Sequence, residues 1–161
     1  MLAYLIPVLK IHCRIFLKKS KMKKVFLDAN VVIDFLDRSS LYHHEAKETV
    51  SIIRKHYRKP YISPTTFAIS YYMFAKFVAK KDVLNKIIKK VFAEFEFTTE
   101  DHKIMTSVLG SKFSDLEDAL QYHTANAFSI DLIITRNTHD YYLSTIPVLL
   151  PFEFIEFYYN S

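Results

Sequence analysis

The stretch Lys24-Val25-Phe26-Leu27-Asp28-Ala29-Asn30 decides the fold. Val25 to Leu27 is a short, uninterrupted apolar run of β-branched and aromatic side chains, the pattern of a strand buried on both faces of a parallel sheet. It stops at a carboxylate, Asp28, and a second polar side chain, Asn30, follows two residues later. Ligands of open parallel sheets bind beyond the carboxyl ends of the strands, and Asp28 and Asn30 fall there. An Asp in this position also caps the following helix in many proteins, so Asp28 gains meaning only from partners elsewhere in the chain.

Working outward, Val31-Val32-Ile33 and Phe35-Leu36 predict a short helix that carries Asp34 and Asp37. Residues 41–57 read as a second helix, with Leu41, Ala46, Val50 and Ile53 near one face. His43-His44-Glu45 lies on that helix as a solvated stretch, because adjacent helical residues point apart. Pro60-Tyr61-Ile62 gives a second strand. Ser63 and Pro64 then open a helix as N-cap and first residue. Its aromatics, Phe67, Tyr71, Tyr72 and Phe74, suit a core or a dimer surface. Asp82 starts a helix with Val83, Leu84, Ile87, Ile88 and Val91 on its apolar side, and Phe95 and Phe97 form a brief strand. Glu100 to Leu109 reads as a helix that Gly110 ends in a left-handed conformation. Ser114 and Glu117 have capping-box spacing for a helix to about Phe128, with Leu116, Ala119, Leu120, His123 and Ala127 on its stripe. His123 reads there as structural. Ile130 to Thr135 is the clearest strand, and Pro147 marks Ile146 to Leu150 as an edge. Alternating strands and helices make this a three-layer α/β/α fold with a mostly parallel sheet.

Composition narrows the function classes. The chain is long enough for one domain with a substantial core. Its single glycine, Gly110, excludes a glycine-rich phosphate loop. The lone Cys13 excludes an intramolecular disulfide framework and suits a reducing cytoplasm. The formal charge of +5 is misleading: residues 1–24 hold seven basic side chains and no acid, leaving 15 basic and 17 acidic residues in the body. Attraction to a polyanion therefore has to come from local patches. Two are candidates, Arg54-Lys55-His56-Tyr57-Arg58-Lys59 and the group Lys80, Lys81, Lys86, Lys89 and Lys90, unless they are simply solvated faces. Residues 1–21 read as an extension to a domain spanning 22–161. Leu2–Leu9 is too short to span a bilayer, and the basic residues follow it rather than precede it. An amphipathic surface anchor is the alternative for this segment.

Asp115 and Asp118 are three apart in the first turn of one helix, where the dipole favours anions. Crowded carboxylates repel, and a divalent cation with its preference for hard oxygen ligands relieves that repulsion. With Asp28 at one strand end and Asn137 or Asp140 beyond another, the donor set is that of a Mg²⁺ or Mn²⁺ site.

Val25-Phe26-Leu27-Asp28-Ala29-Asn30-Val31-Val32-Ile33-Asp34, then Asp115-Leu116-Glu117-Asp118-Ala119, then Ile134-Thr135-Arg136-Asn137 together resemble the PIN domain. The bacterial branch containing toxin ribonucleases of the VapC type is the most similar, and the likeness runs over roughly Met22 to Phe154. The resemblance implies metal-dependent cleavage of RNA, a cognate antitoxin as partner, and a homodimer. It makes Asp28 the first metal ligand, Asp118 the principal ligand on the later helix and Asp115 an accessory acid. Asn137 stands where many relatives have a fourth acid, with Asp140 close by. Asn30 and Thr135 resemble residues that orient ligands or substrate phosphate, and Arg136 resembles a phosphate contact.

One departure bears on activity. Relatives usually carry a Glu near Ala68-Ile69-Ser70-Tyr71-Tyr72, and here no acid occurs between Glu48 and Asp82. Two readings follow: an endoribonuclease, or a weakened PIN-like module that binds RNA or a protein without cutting. A phosphotransferase of the haloacid-dehalogenase type needs an acid at position 30, where this chain has Asn30.

Overall fold

A computed structural model describes residues 24–78 and 80–160. The proposed extension, residues 1–21, lies outside the described residues. Five strands, β1 (Val25–Leu27), β2 (Tyr61–Ile62), β3 (Glu96–Phe97), β4 (Leu132–Ile134) and β5 (Val148–Leu149), form one sheet in the order β3-β2-β1-β4-β5. Every pairing is parallel. Among the described residues seven helices surround it: α1 (Ala29–Leu36), α2 (His43–His56), α3 (Pro64–Phe77), α4 (Lys81–Glu94), α5 (His102–Leu109), α6 (Leu116–Ala127) and α7 (Pro151–Tyr159).

The central strand sorts its side chains by alternation. Val25 and Leu27 face a core built with α1, α2 and Phe154 of α7, and Leu132 and Ile134 of β4 join them. Phe26 and Ile133 face the opposite layer, where Ala125 of α6 and Ile130, Tyr141 and Ile146 cover them. Phe26, Leu27, Ile53 and Phe154 are fully buried, each contributing about 1.5–3 kcal/mol by removal from water. Strand pairing continues past the strand ends: Asp28 N donates to Ile134 O at 3.1 Å, and Thr135 N to Leu149 O at 3.1 Å. These two bonds bring Asp28 and Thr135 side by side at one edge of the sheet.

The structure departs from the sequence reading at several places. Leu41 is 95% exposed, because α2 begins only at His43 and the preceding residues form a turn. Residues expected on the apolar stripe of α6 move as well. That helix is capped by Asp115, whose Oδ1 accepts from Glu117 N at 2.7 Å and Asp118 N at 3.4 Å, and not by Ser114. Leu116, the first residue of the helix, is 74% exposed, and Ala119, Leu120, Gln121, Thr124 and Ala125 are inside. Ser63 does cap α3, accepting from Thr66 N at 3.0 Å.

Helix α3 is inverted: its buried residues are Thr66 and Ser70, while Tyr72 and Phe77 are exposed. Helix α7, not anticipated, begins at Pro151, with Glu153 accepting from Leu150 N at 3.0 Å. Gly110 has a φ of −94°, because Ser111 N closes on Val108 O and no left-handed residue is needed. The left-handed residue is Ser129, with a φ of 52°, after α6.

A Cβ at Gly110 meets nothing within 4 Å. Gly110→Ala is therefore expected to stabilise the protein by about 0.4–1 kcal/mol through the entropy of the unfolded chain. Denaturant unfolding measures this, and a loss of stability would show that position 110 needs a conformation only glycine adopts.

Candidate active site

Asp28 is the last residue of the β1 run and the N-cap of α1, and its backbone reaches both roles because the strand turns directly into the helix. Its carboxylate is buried and hydrogen-bonded on both oxygens. Oδ1 accepts from Ala29 N at 2.5 Å; Oδ2 accepts from Thr135 Oγ1 at 2.5 Å and Asn30 Nδ2 at 2.6 Å. Burial raises its pKa, opposed by hydrogen bonds from Thr135, Gln121, Ala29 and Asn30. Thr135 Oγ1 also accepts from Asn137 N at 2.9 Å and Asn30 Nδ2 at 3.1 Å, and Asn30 Oδ1 accepts from Arg136 N at 3.1 Å. Asn30 and Thr135 thus tie the end of β1 to the loop after β4.

The facing acids come from α6. Asp118 is partly buried, and its pKa is pushed up to about 7 by burial and then by the charges of Asp28, Asp115, Asp140 and Glu117. Glu117 is raised by burial and by Asp28 and Asp115. Asp115 stands at the exposed rim, committed to its cap. Sequence reasoning had spent Glu117 on a capping box. The shifted cap releases it toward the site, where Gln121 Nε2 donates to its Oε1 at 3.3 Å. Gln121 is fully buried, and its Oε1 accepts from Thr66 Oγ1 of α3 at 3.0 Å. The only sequence signal for this pair was the i, i+4 spacing of Glu117 and Gln121. From α3 the inward side chains are Thr66 and Ser70, so no carboxylate enters from that helix.

The loop after β4 supplies the remaining candidates. Asp140 lies within electrostatic reach of Asp118, and Asn137 is exposed. Arg136 is turned to α1: its Nε is 2.8 Å from Asp34 Oδ2, and its guanidinium lies 4.7 Å from the Tyr42 ring centroid. Tyr141, which the sequence did not single out, is buried with a hydroxyl that has no hydrogen-bond partner among the described residues. Its pKa is raised by burial and by Asp28, Asp118, Glu117 and Asp140. The donor set is all oxygen and mutually repulsive, as a hard cation requires. Among the described residues no three acidic, cysteine or histidine side chains are grouped tightly enough to ligate one ion as they stand.

The two basic stretches meet away from the acids. Arg54 and Lys55 of α2 and Lys90 of α4 line an open cavity of about 760 Å³ together with Arg38 and Lys47. Arg54 is paired with Glu94. Lys90 lies 4.2 Å from the Phe35 ring centroid, and burial together with Arg38 and Lys47 lowers its pKa against the pull of Glu94.

The described residues thus define a three-layer α/β/α protein with carboxylates gathered beyond the ends of its central parallel strands. The chain matches the PIN domain over residues 24–139, and it belongs to that family. It is 32% identical over 139 residues to Ribonuclease VapC1 of Aquifex aeolicus (strain VF5), covering 83% of this chain and 94% of that protein. Its fold is similar to VapBC2 from Rickettsia felis bound to a promoter DNA fragment: TM-score 0.62, 14% identity, 78% of this chain and 97% of that one. A toxin–antitoxin complex from Klebsiella pneumoniae is also similar: TM-score 0.58, 24% identity, 80% and 98%. Among the described residues no helix is long and apolar enough to cross a membrane.

The raised pKa of Asp118 sets a direction for stability. The native carboxyl holds its proton up to about pH 7, whereas the unfolded one releases it near its ordinary value of 3.8. Stability is thus lost as pH rises from about 4 to 7. In metal-free buffer Asp118→Asn is expected to melt a few degrees higher than wild type at pH 8 and at the same temperature near pH 4. An equal difference at both pH values would show that Asp118 does not carry the repulsion.

Proposed function

We propose that this protein is a Mg²⁺- or Mn²⁺-dependent endoribonuclease that hydrolyses RNA phosphodiester bonds and acts in the cytoplasm as the toxin of a toxin–antitoxin pair. The observation that carries this reading is the convergence of Asp28 with Glu117 and Asp118, from separate elements, at the ligand end of a PIN-family sheet. Asp28, Asp118 and Asp115 are the proposed catalytic acids and, with Asn137 and Asp140, the candidate metal ligands. A bound cation orients a water, lowers its pKa and offsets charge on the phosphate oxygens. Asn30 and Thr135 hold Asp28 in one orientation, so that it meets the cation without reorganising. The backbone around Arg136 is fixed by Asn30, which leaves its guanidinium to exchange Asp34 for a phosphate.

The partners follow from surfaces as well as from relatives, which include toxin–antitoxin complexes. Lys47, Lys55 and Lys90 offer phosphate neutralisation to RNA outside the acid cluster. The outward aromatic face of α3, with Tyr72 and Phe77, is the proposed homodimer surface, a state that sedimentation of the purified protein reads directly.

A second reading, a module that binds RNA or a protein without cutting, is favoured by one observation: α3 gives the site Thr66 and Ser70 and no carboxylate. Cleavage of single-stranded and structured RNAs with Mg²⁺ or Mn²⁺ separates the two. Wild type is expected to cut and Asp118→Asn to lose at least about 100-fold in rate, the scale of an electrostatic group acting at the transition state. Equal cutting by both proteins sinks the metal mechanism; RNA binding without cutting by wild type establishes the second reading.

Metal binding has a readout of its own. Millimolar Mn²⁺ is expected to raise the melting temperature of wild type, because a ligand that binds only the native state stabilises it. Mn²⁺ is expected to act more strongly than Mg²⁺, which demands a stricter octahedral shell. The shift should vanish in Asp28→Asn. Identical shifts in the two proteins would exclude Asp28 from the metal site.

A further inference from the structure

We propose that Tyr42 and Arg136 form a nucleotide subsite beside the acids, in which the Tyr42 ring stacks on a base of single-stranded RNA while the edge of Arg136 takes the neighbouring phosphate. The inference rests on the reading above that RNA is the substrate, and it names the part of the RNA that is gripped. Arg136 directly follows Thr135, whose hydroxyl donates to Asp28. Its main chain and side chain are both pinned to α1: Arg136 N donates to Asn30 Oδ1 at 3.1 Å, and Arg136 Nε lies 2.8 Å from Asp34 Oδ2. Asn30 and Asp34 are four residues apart and share one helix face. From residue 28 to residue 34 the helix axis rises about 9 Å, so the arginine leads away from Asp28 along that face. Its guanidinium ends 4.7 Å from the centroid of the Tyr42 ring.

Neither the helix nor the core accounts for a tyrosine at position 42. Tyr42 is the N-cap of α2, where a short side chain that accepts from the helix N–H groups is preferred, and its side chain makes no cap bond. It is also 46% exposed, too open for a core residue. Yet the ring is held in place. Asp34 is buried; its Oδ1 accepts from Ser40 Oγ at 2.6 Å while its Oδ2 meets Arg136. Ser40 Oγ in turn accepts from Tyr42 N at 3.1 Å. One buried carboxylate thus fixes both the backbone of Tyr42 and the cation against its ring. Arg136 takes one face of that ring, and no aromatic ring packs on the other among the described residues.

A guanidinium meets an aromatic ring with its flat face and keeps its N–H groups at the edge. Stacking on Tyr42 therefore does not compete with a phosphate. Nε is engaged by Asp34, and the two Nη groups make no hydrogen bond among the described residues. A nucleotide offers a flat ring and an anion one sugar apart, the two features that Tyr42 and Arg136 accept together. Single-stranded RNA is recognised in this way, by bases splayed onto aromatic side chains. In a duplex the bases stack on one another and none is free for Tyr42. Every base has a π-face, so the subsite selects unpaired RNA and not a sequence. Because the pair is already ordered by Asp34, little freedom is lost when the nucleotide docks.

The test uses the full chain and a short single-stranded RNA, together with copies of that RNA made abasic at one position at a time. Dissociation constants are measured in metal-free buffer for wild type, Tyr42→Phe and Tyr42→Ala. Tyr42→Ala is expected to weaken binding of the intact RNA by about 5- to 150-fold, the range of one base stacked on an aromatic ring. Tyr42→Phe keeps the ring and is expected to stay within about twofold of wild type. One abasic copy is expected to weaken wild type as much as Tyr42→Ala does, and to bind Tyr42→Ala no worse than the intact RNA, because the contact is already gone. Tyr42→Leu, which keeps apolar bulk without a π-face, is expected to give the same pattern and replaces Tyr42→Ala if that variant does not fold. Unchanged affinity in these variants overturns the proposal. So does an equal loss for intact RNA and every abasic copy, which is what a ring that merely props Arg136 would give. A wild type that binds no RNA overturns the RNA reading and this inference with it. A wild type that cuts RNA but is matched in affinity by Tyr42→Ala removes this inference alone, whereas the expected pattern in a protein that does not cut supports it and removes the nuclease reading alone.

Discussion

The buried carboxylate of Asp28 is the constraint around which the rest of the site is arranged. It sits where a parallel strand stops, so its burial follows from the sheet and is not an accident of a loop. Taking a carboxylate out of water is costly unless donors surround it. Here Ala29 N, Thr135 Oγ1 and Asn30 Nδ2 do so, delivered by two pieces of backbone: the first turn of α1 and the residue after β4. The two central strands are thereby locked at their functional end by side chains as well as by main-chain pairing. Removing any of these donors loosens Asp28 and the junction between β1 and β4 together.

Glu117, one of the acids whose charge meets Asp28, is held by a buried relay of hydrogen bonds. The helix after β2 supplies Thr66, whose hydroxyl fixes Gln121, and Gln121 in turn holds Glu117. A carboxylate on α6 thus stands near Asp28, where α3 supplies none. This arrangement exists only because Asp115 takes the helix cap. Were Ser114 the cap, Glu117 would turn back to the helix start and leave Asp118 facing Asp28 alone. Local capping chemistry and site electrostatics are therefore one problem in this protein.

What the sequence made legible follows the same division. Val25–Leu27, Ile62 and Leu132–Ile134 were readable as parallel strands because they are buried on both faces, and Ser63-Pro64 announced a helix by its own chemistry. Asp28 stood out only together with acids elsewhere in the chain, since a carboxylate ending an apolar strand also serves as a helix cap, as it does here. The register of α6 was not, because Ser114 and Asp115 are both good caps and only tertiary contacts choose between them. Gln121 carries no pattern: it acts through Thr66, 55 residues away in sequence, and periodicity is blind to that. Helix α7 escaped because its aromatics, Phe152, Phe154, Phe157, Tyr158 and Tyr159, suit a strand as well as a helix. Only the packing of Phe154 into the core beside Leu149 decides the matter.

Helix α3 shows what the site demands of its surroundings. Its inner face carries Thr66 and Ser70, because the space behind Asp28 must present hydroxyls to Gln121 and to the helix backbone. Such a face contributes little hydrophobic stabilisation. The helix is instead held by its ends and flank: the Ser63 cap, the Thr65 hydroxyl on Glu100 at 2.7 Å, and Phe67 packed against Phe92 and Phe97. Apolar residues excluded from the inner face go outward, which is why Tyr72 and Phe77 are exposed on the same helix that serves the acids. A polar interior at the site and an apolar exterior on α3 are thus two consequences of one placement. The surface available to a partner is coupled, through the twelve residues of helix from Thr66 to Phe77, to the hydrogen bonds that position Glu117.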